Sequence, residues 1–223
     1  MKWSTILNKV IMAITGLALV GFLISHLTGN LKLYLGSEEF NHYAKFLEDL
    51  GPALYVAEIG LVTLFLVHII MAIKLTLANK AARPIGYGTK TTAGESTLGS
   101  RTMFISGLVI LIFVFVHVSG FKYGDRPGGS LWQLVVDKFS NPGIAAFYVV
   151  CMLFLGMHLS HGIASAFQSL GLRNSSGHPK LRYLGPLLGW GIALGFASFP
   201  LWVLAAKPVS KTSSVKIEIP AGK

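Results

Sequence analysis

Five stretches of the chain are continuously apolar, and each is long enough for the ~20 helical residues that cross a bilayer. They run from about Val10 to Leu35, Ala53 to Ala78, Thr102 to Phe121, Gly143 to Leu170 and Leu184 to Ala206. Two of the polar intervals carry a pattern of their own. Between Ser37 and Leu50, Phe40, Tyr43, Phe46, Leu47 and Leu50 recur at helical spacing, which predicts a short amphipathic helix on the outer interface. Leu131 to Phe139 is expected to form a second one. Asn141-Pro142 predicts a capped start for the fourth span, with proline in its first turn. Pro186 and Pro200 fall inside the fifth span and are expected to bend it. The pattern therefore predicts an all-α integral membrane bundle of five transmembrane helices, occupying residues 1–206, followed by a loose polar tail at 207–223. The first run follows Lys2 and Lys9 as a signal peptide would. It lacks a small-x-small cleavage site ahead of a polar start and reads as a span. No internal repeat stands out.

Composition agrees. Charged residues make up 13% of the 223, about half of the ~25% usual in soluble domains, and the mean hydropathy is +0.62. One cysteine, Cys151, lies inside an apolar run. An intrachain disulfide, covalent c-type haem, and cysteine-ligated zinc or iron–sulfur sites are thereby excluded. No phosphate-binding Gly-rich loop of the nucleotide-hydrolase type occurs. The net charge of +10 reads as inner-face lysine and arginine rather than nucleic-acid binding. Ten lysines and arginines flank one side of the five spans and five the other, before the four lysines of the tail. This predicts a cytoplasmic N-terminus.

Seven histidines occur, and His26, His68, His117, His158 and His161 lie within spans. Ionisable groups at membrane depth are costly and usually functional. His26 and His117 sit near the outer ends of two outward-running spans. His68 precedes Asn79 by 11 residues and His158 precedes Gly171 by 13, so both lie ~16–20 Å outward of their inner flanks. The four form two pairs, His26 with His117 outside and His68 with His158 deeper. Two neutral imidazoles facing each other across a bundle suit the axial positions of a b-type haem. Small residues one turn away would let a flat macrocycle approach: Gly29, Ala72, Gly120 and Gly162. Each ring's other nitrogen is expected to donate to a carbonyl one turn earlier, fixing its tautomer. Zinc would need a third ligand at the same level, and no carboxylate accompanies either pair. His158 and His161 are three apart and both remain candidates on spacing alone.

The strings F-L-I-S-H-L around His26, F-N-H-Y-A-K-F-L-E-D-L in the first outer loop, A-E-I-G, S-R-T-M and H-L-S-H-G-I-A-S-A-F-Q-S-L-G give the chain a familiar look. From about Lys9 to Pro200 it resembles the five-helix, di-haem cytochrome b membrane anchor of succinate:quinone oxidoreductases, the single-chain bacterial type. The resemblance selects His158, because in similar anchors the fourth ligand precedes a helix-ending glycine by 13 residues, here Gly171. It implies two haem b groups, a quinone expected to be menaquinone, and a bacterial inner-membrane location. It also implies a flavoprotein subunit and an iron–sulfur subunit on the cytoplasmic face, where succinate or fumarate chemistry would occur. Some fumarate reductases of this type carry a glutamate two residues before the fourth ligand. Gly156 stands there in this chain, so that mode of proton compensation is not expected.

Glu58 lies ten residues before His68, ~15 Å nearer the outside and level with the outer pair. It reads either as an interfacial carboxylate or as a proton acceptor beside a quinol site. His42 is a loop alternative. Arg101 and Arg182 stand at the inner face, where they pair with propionates of the inner haem, contact a partner subunit, or simply mark the inner side. Two other functions use the same histidines: a di-haem cytochrome b subunit of a membrane hydrogenase or formate dehydrogenase, and a non-redox anchor or transporter.

Overall fold

The computed structural model describes residues 5–81, 98–172 and 181–208, without the side chains of 5, 98–101 and 181–182. The regular structure among them is entirely helical. Helix α1 (Thr5–Asn30) continues through a 3-10 turn (Leu31–Leu35) to α2 (Ser37–Asp49). Then follow α3 (Pro52–Ala81), α4 (Leu98–Phe121), a 3-10 turn (Pro127–Gly129), α5 (Leu131–Phe139), α6 (Pro142–Ser169) and α7 (Leu181–Ala206). Helices α1, α3, α4, α6 and α7 are long and apolar enough to cross a membrane, at the five places the apolar runs predict. Asn141 caps α6 through its side-chain oxygen, which accepts from the N–H groups of Gly143 and Ile144. The helix ends at Gly171, whose φ of +74° is a left-handed conformation that glycine adopts freely. The Lys and Arg positions 2, 83, 90, 173 and 180 used for orientation, and the tail from 209, lie outside the described residues.

The interior is a three-helix core with two helices leaning on it. Val20 of α1, Cys151, Met152, Leu155, Leu159 and Ile163 of α6, and Ile192 and Ala197 of α7 form one buried cluster. Helix α4 packs along α6, whereas α3 packs substantially only on α1. Close contact between α6 and α7 depends on small residues. A β-carbon at Gly189 would lie 2.5 Å from the Ser160 backbone nitrogen, and one at Gly185 would lie 2.4 Å from the Ser160 carbonyl oxygen. In lipid, where apolar surface gains little from being buried against another helix, such backbone approach is what binds helices together.

One end of the bundle carries a cap built by α2 and α5. Asn41 of α2 donates to the Ser130 hydroxyl (2.9 Å) and accepts from the Trp132 N–H (3.0 Å), fastening α2 to the start of α5. The Trp132 indole N–H reaches the Leu33 carbonyl, and Arg126 pairs with Glu48. Leu33, Phe40, Trp132, Val136, Phe139, Tyr148, Phe199 and Val203 close the cluster beneath. Helix α2 is amphipathic, with Phe40 inward and Phe46 and Leu50 exposed. Helix α5 departs from the expectation of an interfacial helix. Trp132 through Val136 and Phe139 are all buried, because α2, α6 and α7 enclose it on several sides.

The glycine contact gives a stability prediction. Gly189→Val should destabilise the purified protein by about 1–3 kcal/mol, since the new side chain meets backbone that cannot rotate away. Gly21→Ala, which meets nothing within 4 Å, should stay near the wild-type value. Thermal unfolding in detergent measures both.

Candidate functional site

The histidine-bearing helices bring two of the rings together and hold two others against hydroxyls of neighbouring helices. Toward the capped end, His26 of α1 and His117 of α4 stand 5.8 Å apart between ring centres, with planes at 84°. Phe22 stacks on His26 at 5.4 Å, Phe113 on His117 at 5.5 Å, and Phe196 and Phe121 complete an aromatic wall. Metal–imidazole bonds of about 2 Å put two opposed rings roughly 6 Å apart between centres, so the observed separation suits one metal held between them. The Nδ1 atom of His117 is buried and has no hydrogen-bond partner. Buried nitrogens are rarely left so, and an ion is one of the usual reasons.

Deeper in the bundle lie His68 of α3 and His158 and His161 of α6. The rings of His68 and His158 are each held from the neighbouring helix. The Thr15 hydroxyl on α1 stands 3.2 Å from His68 Nδ1, and the Ser106 hydroxyl on α4 stands 3.1 Å from His158 Nδ1. Both hydroxyl residues are buried. Each is followed by a glycine against which the ring lies: a β-carbon at Gly16 would meet His68 Cε1 at 3.3 Å, and one at Gly107 would meet His158 Cε1 at 3.5 Å. The Ser106 hydroxyl also lies 3.1 Å from the Met103 carbonyl of its own helix.

This corrects the expectation that each inner ring bonds a carbonyl one turn earlier on its own helix. Those carbonyls belong to the helix ladder and lie along the axis, whereas the rings point across to the next helix. It also reveals a repeat missed in the sequence. Thr15-Gly16-Leu17 precedes His26 by eleven residues counted from the threonine, and Ser106-Gly107-Leu108 precedes His117 by the same eleven. Helices α1 and α4 each offer a histidine to one pair and, about 16 Å away along the axis, a hydroxyl-glycine cradle to the other.

The small residues expected to admit a macrocycle behave differently. Gly29 is filled by the Tyr43 ring, which a β-carbon would meet at 2.5 Å. Gly120 and Gly162 face Lys138 and Met103 at 3.7–3.8 Å, and Ala72 is half-buried. Gly156 packs under Trp190, which a β-carbon would approach to 2.6 Å, so a glutamate there would have to displace the indole.

Among the described residues no group of three or more His, Cys, Asp and Glu converges. Each pair is therefore two imidazoles without a carboxylate, a donor set that serves opposed axial positions better than a tetrahedral ion. Glu58, half-exposed on α3, pairs with Lys122 just beyond α4. His42 is exposed on α2. The backbones of Arg101 and Arg182 lie on α4 and α7, and their side chains lie outside the described residues. A cavity of about 230 Å³ opens beside His117, lined by Val116, Gly120, Lys138, Gly143, Ile144, Phe147 and Tyr148. Its walls are apolar apart from the Lys138 ammonium and the Tyr148 phenol, and Glu58 is not part of them.

No family model matches the chain, and no solved structure matches it. Among characterised proteins it is similar to the succinate dehydrogenase cytochrome b558 subunit of Bacillus subtilis (strain 168), with 28% identity over 157 residues that cover 68% of this chain and 72% of that subunit.

Proposed function

We propose that this chain is the membrane anchor and electron-transfer subunit of a succinate dehydrogenase or fumarate reductase complex, carrying electrons between an iron–sulfur subunit and quinone through two bis-histidine b haems. What supports the reading is the 5.8 Å approach of His26 and His117 with no third ligand among the described residues, together with the matched hydroxyl contacts of His68 and His158, in a chain similar to a subunit named as a cytochrome b. Haem b held by these histidine pairs would supply one-electron transfer. His26 and His117 hold the outer iron, at the capped end; His68 and His158 hold the inner one. Phe22, Phe113, Phe121 and Phe196 exclude water around the outer pair. Arg101 and Arg182 pair with the propionates of the inner haem.

In this reading the N-terminus lies in the cytoplasm of a bacterium, and the capped end faces outward. The flavoprotein and iron–sulfur subunits dock at the opposite, cytoplasmic end. A quinone, menaquinone in this proposal, reacts near the outer pair, where Glu58 accepts a proton as quinol is oxidised. The Lys122 ammonium pairs with this carboxylate.

Two measurements test these assignments. In the purified complex, replacing His68 or His158 with alanine should remove one haem, and replacing His26 or His117 should remove the other. His161→Ala should retain both, by reduced-minus-oxidised spectra with haem quantified per polypeptide. Loss of a haem in the His161 variant, with both kept in the His158 variant, would reverse the ligand choice. Glu58→Gln should lower quinone-linked turnover by about tenfold or more, with both haem spectra intact and succinate oxidation by a soluble dye unchanged. Normal quinone-linked turnover in that variant would leave Glu58 as an interfacial carboxylate.

A further inference from the structure

We infer that Thr15 and Ser106 are positioning residues for the deep pair, each holding a ligand histidine in the tautomer that presents Nε2 to the shared site. The inference rests on the proposal that His68 and His158 are haem ligands.

A serine or threonine hydroxyl has one proton and two acceptor lone pairs. Thr15 Oγ1 lies 2.9 Å from the Ile11 carbonyl and 3.1 Å from that of Met12, while Ser106 Oγ lies 3.1 Å from the Met103 carbonyl. These carbonyls can only accept, so each hydroxyl proton has a place within its own helix. What the oxygen retains for the ring is a lone pair. The ring atom facing it must then be Nδ1–H, and a neutral imidazole protonated there carries its free lone pair on Nε2. Ring donates to hydroxyl and hydroxyl to helix carbonyl, so no polar atom of the relay is stranded.

Glycine completes the device. A β-carbon at position 16 would press on His68 Cε1 at 3.3 Å, and one at position 107 would stand in van der Waals contact with His158 Cε1 at 3.5 Å. The same hydroxyl-glycine pair recurs on α1 and α4, each eleven residues ahead of that helix's own histidine, so two independent segments arrive at one solution.

An acceptor on Nδ1–H makes the imidazole more basic and favours the oxidised iron. The test is a redox titration of the intact complex carrying Thr15→Val, Ser106→Ala, or both. Either variant should raise the potential of the haem that depends on His68, increasing its reduced-to-oxidised ratio at fixed ambient potential about three- to tenfold, where tenfold is ~59 mV for one electron. The haem that depends on His26 should not move. Thr15→Ser and Ser106→Thr should restore the wild-type value. Selective loss of the inner haem in Thr15→Val, with retention in Thr15→Ser, would equally support the role. An unchanged or lowered inner potential in both deletion variants would overturn it, as would inner-haem loss in Thr15→Ser. His68→Ala in the same complex separates the two levels: if both haems persist there, the ligand assignment beneath this inference has failed, not the hydroxyl contact.

Discussion

A neutral imidazole inside an apolar bundle has one N–H and one lone pair, and neither has water to turn to. Leaving either unpaired costs on the order of 1–3 kcal/mol, so every ring at this depth must be given two partners. At the deep pair one partner is visible. The Thr15 and Ser106 hydroxyls take the Nδ1 side, which leaves Nε2 for a second partner. Because the hydroxyls are themselves bonded to carbonyls of their own turns, the demand is passed into the helix ladder and ends there. Much of the helix arrangement follows. Helix α3 has to lie along α1, and α6 along α4, at a register that sets ring against hydroxyl.

The rest of the bundle keeps that register. Helix α7 carries no histidine, and its glycines at 185 and 189 press it onto the Ser160 turn of α6. Trp190 covers Gly156, two residues before His158. The cap works on the other pair from outside. Tyr148, beneath the buried α5, also contacts the His117 ring, so one aromatic side chain links the cap to the site. Rigid packing of this kind suits a site whose work is electron transfer, since a fixed environment for two opposed ligands requires little rearrangement between redox states.

Two sites about 16 Å apart along shared helices also suit a relay more than a reaction chamber. Glu58, at the capped end, is stationed beside Lys122 rather than in the cavity next to His117. Under the proposed function the carboxylate and the cavity are neighbouring parts of one region, with Lys138 and Tyr148 supplying the cavity's polar atoms.

The sequence by itself determined the five spans, the two cap helices, the Asn141 cap and the helix end at Gly171. These depend on runs of apolar residues, on helical periodicity and on local hydrogen bonds, all read within about twenty residues. The histidines could be matched because depth is counted along a single helix. Tertiary structure decided what sequence distance conceals. Thr15 meets His68 across 53 positions and Ser106 meets His158 across 52, and neither hydroxyl looks exceptional in an apolar run until the ring is set against it. The shared eleven-residue spacing to His26 and His117 was present in the sequence, but a three-residue match has no meaning until packing shows both copies doing the same task. Gly29 invited a macrocycle by its position and received Tyr43. Glu58 acquired Lys122, and α5 became an enclosed helix. In each case the outcome depended on which side chain another helix delivered, and a residue's own neighbours along the chain carry no record of that.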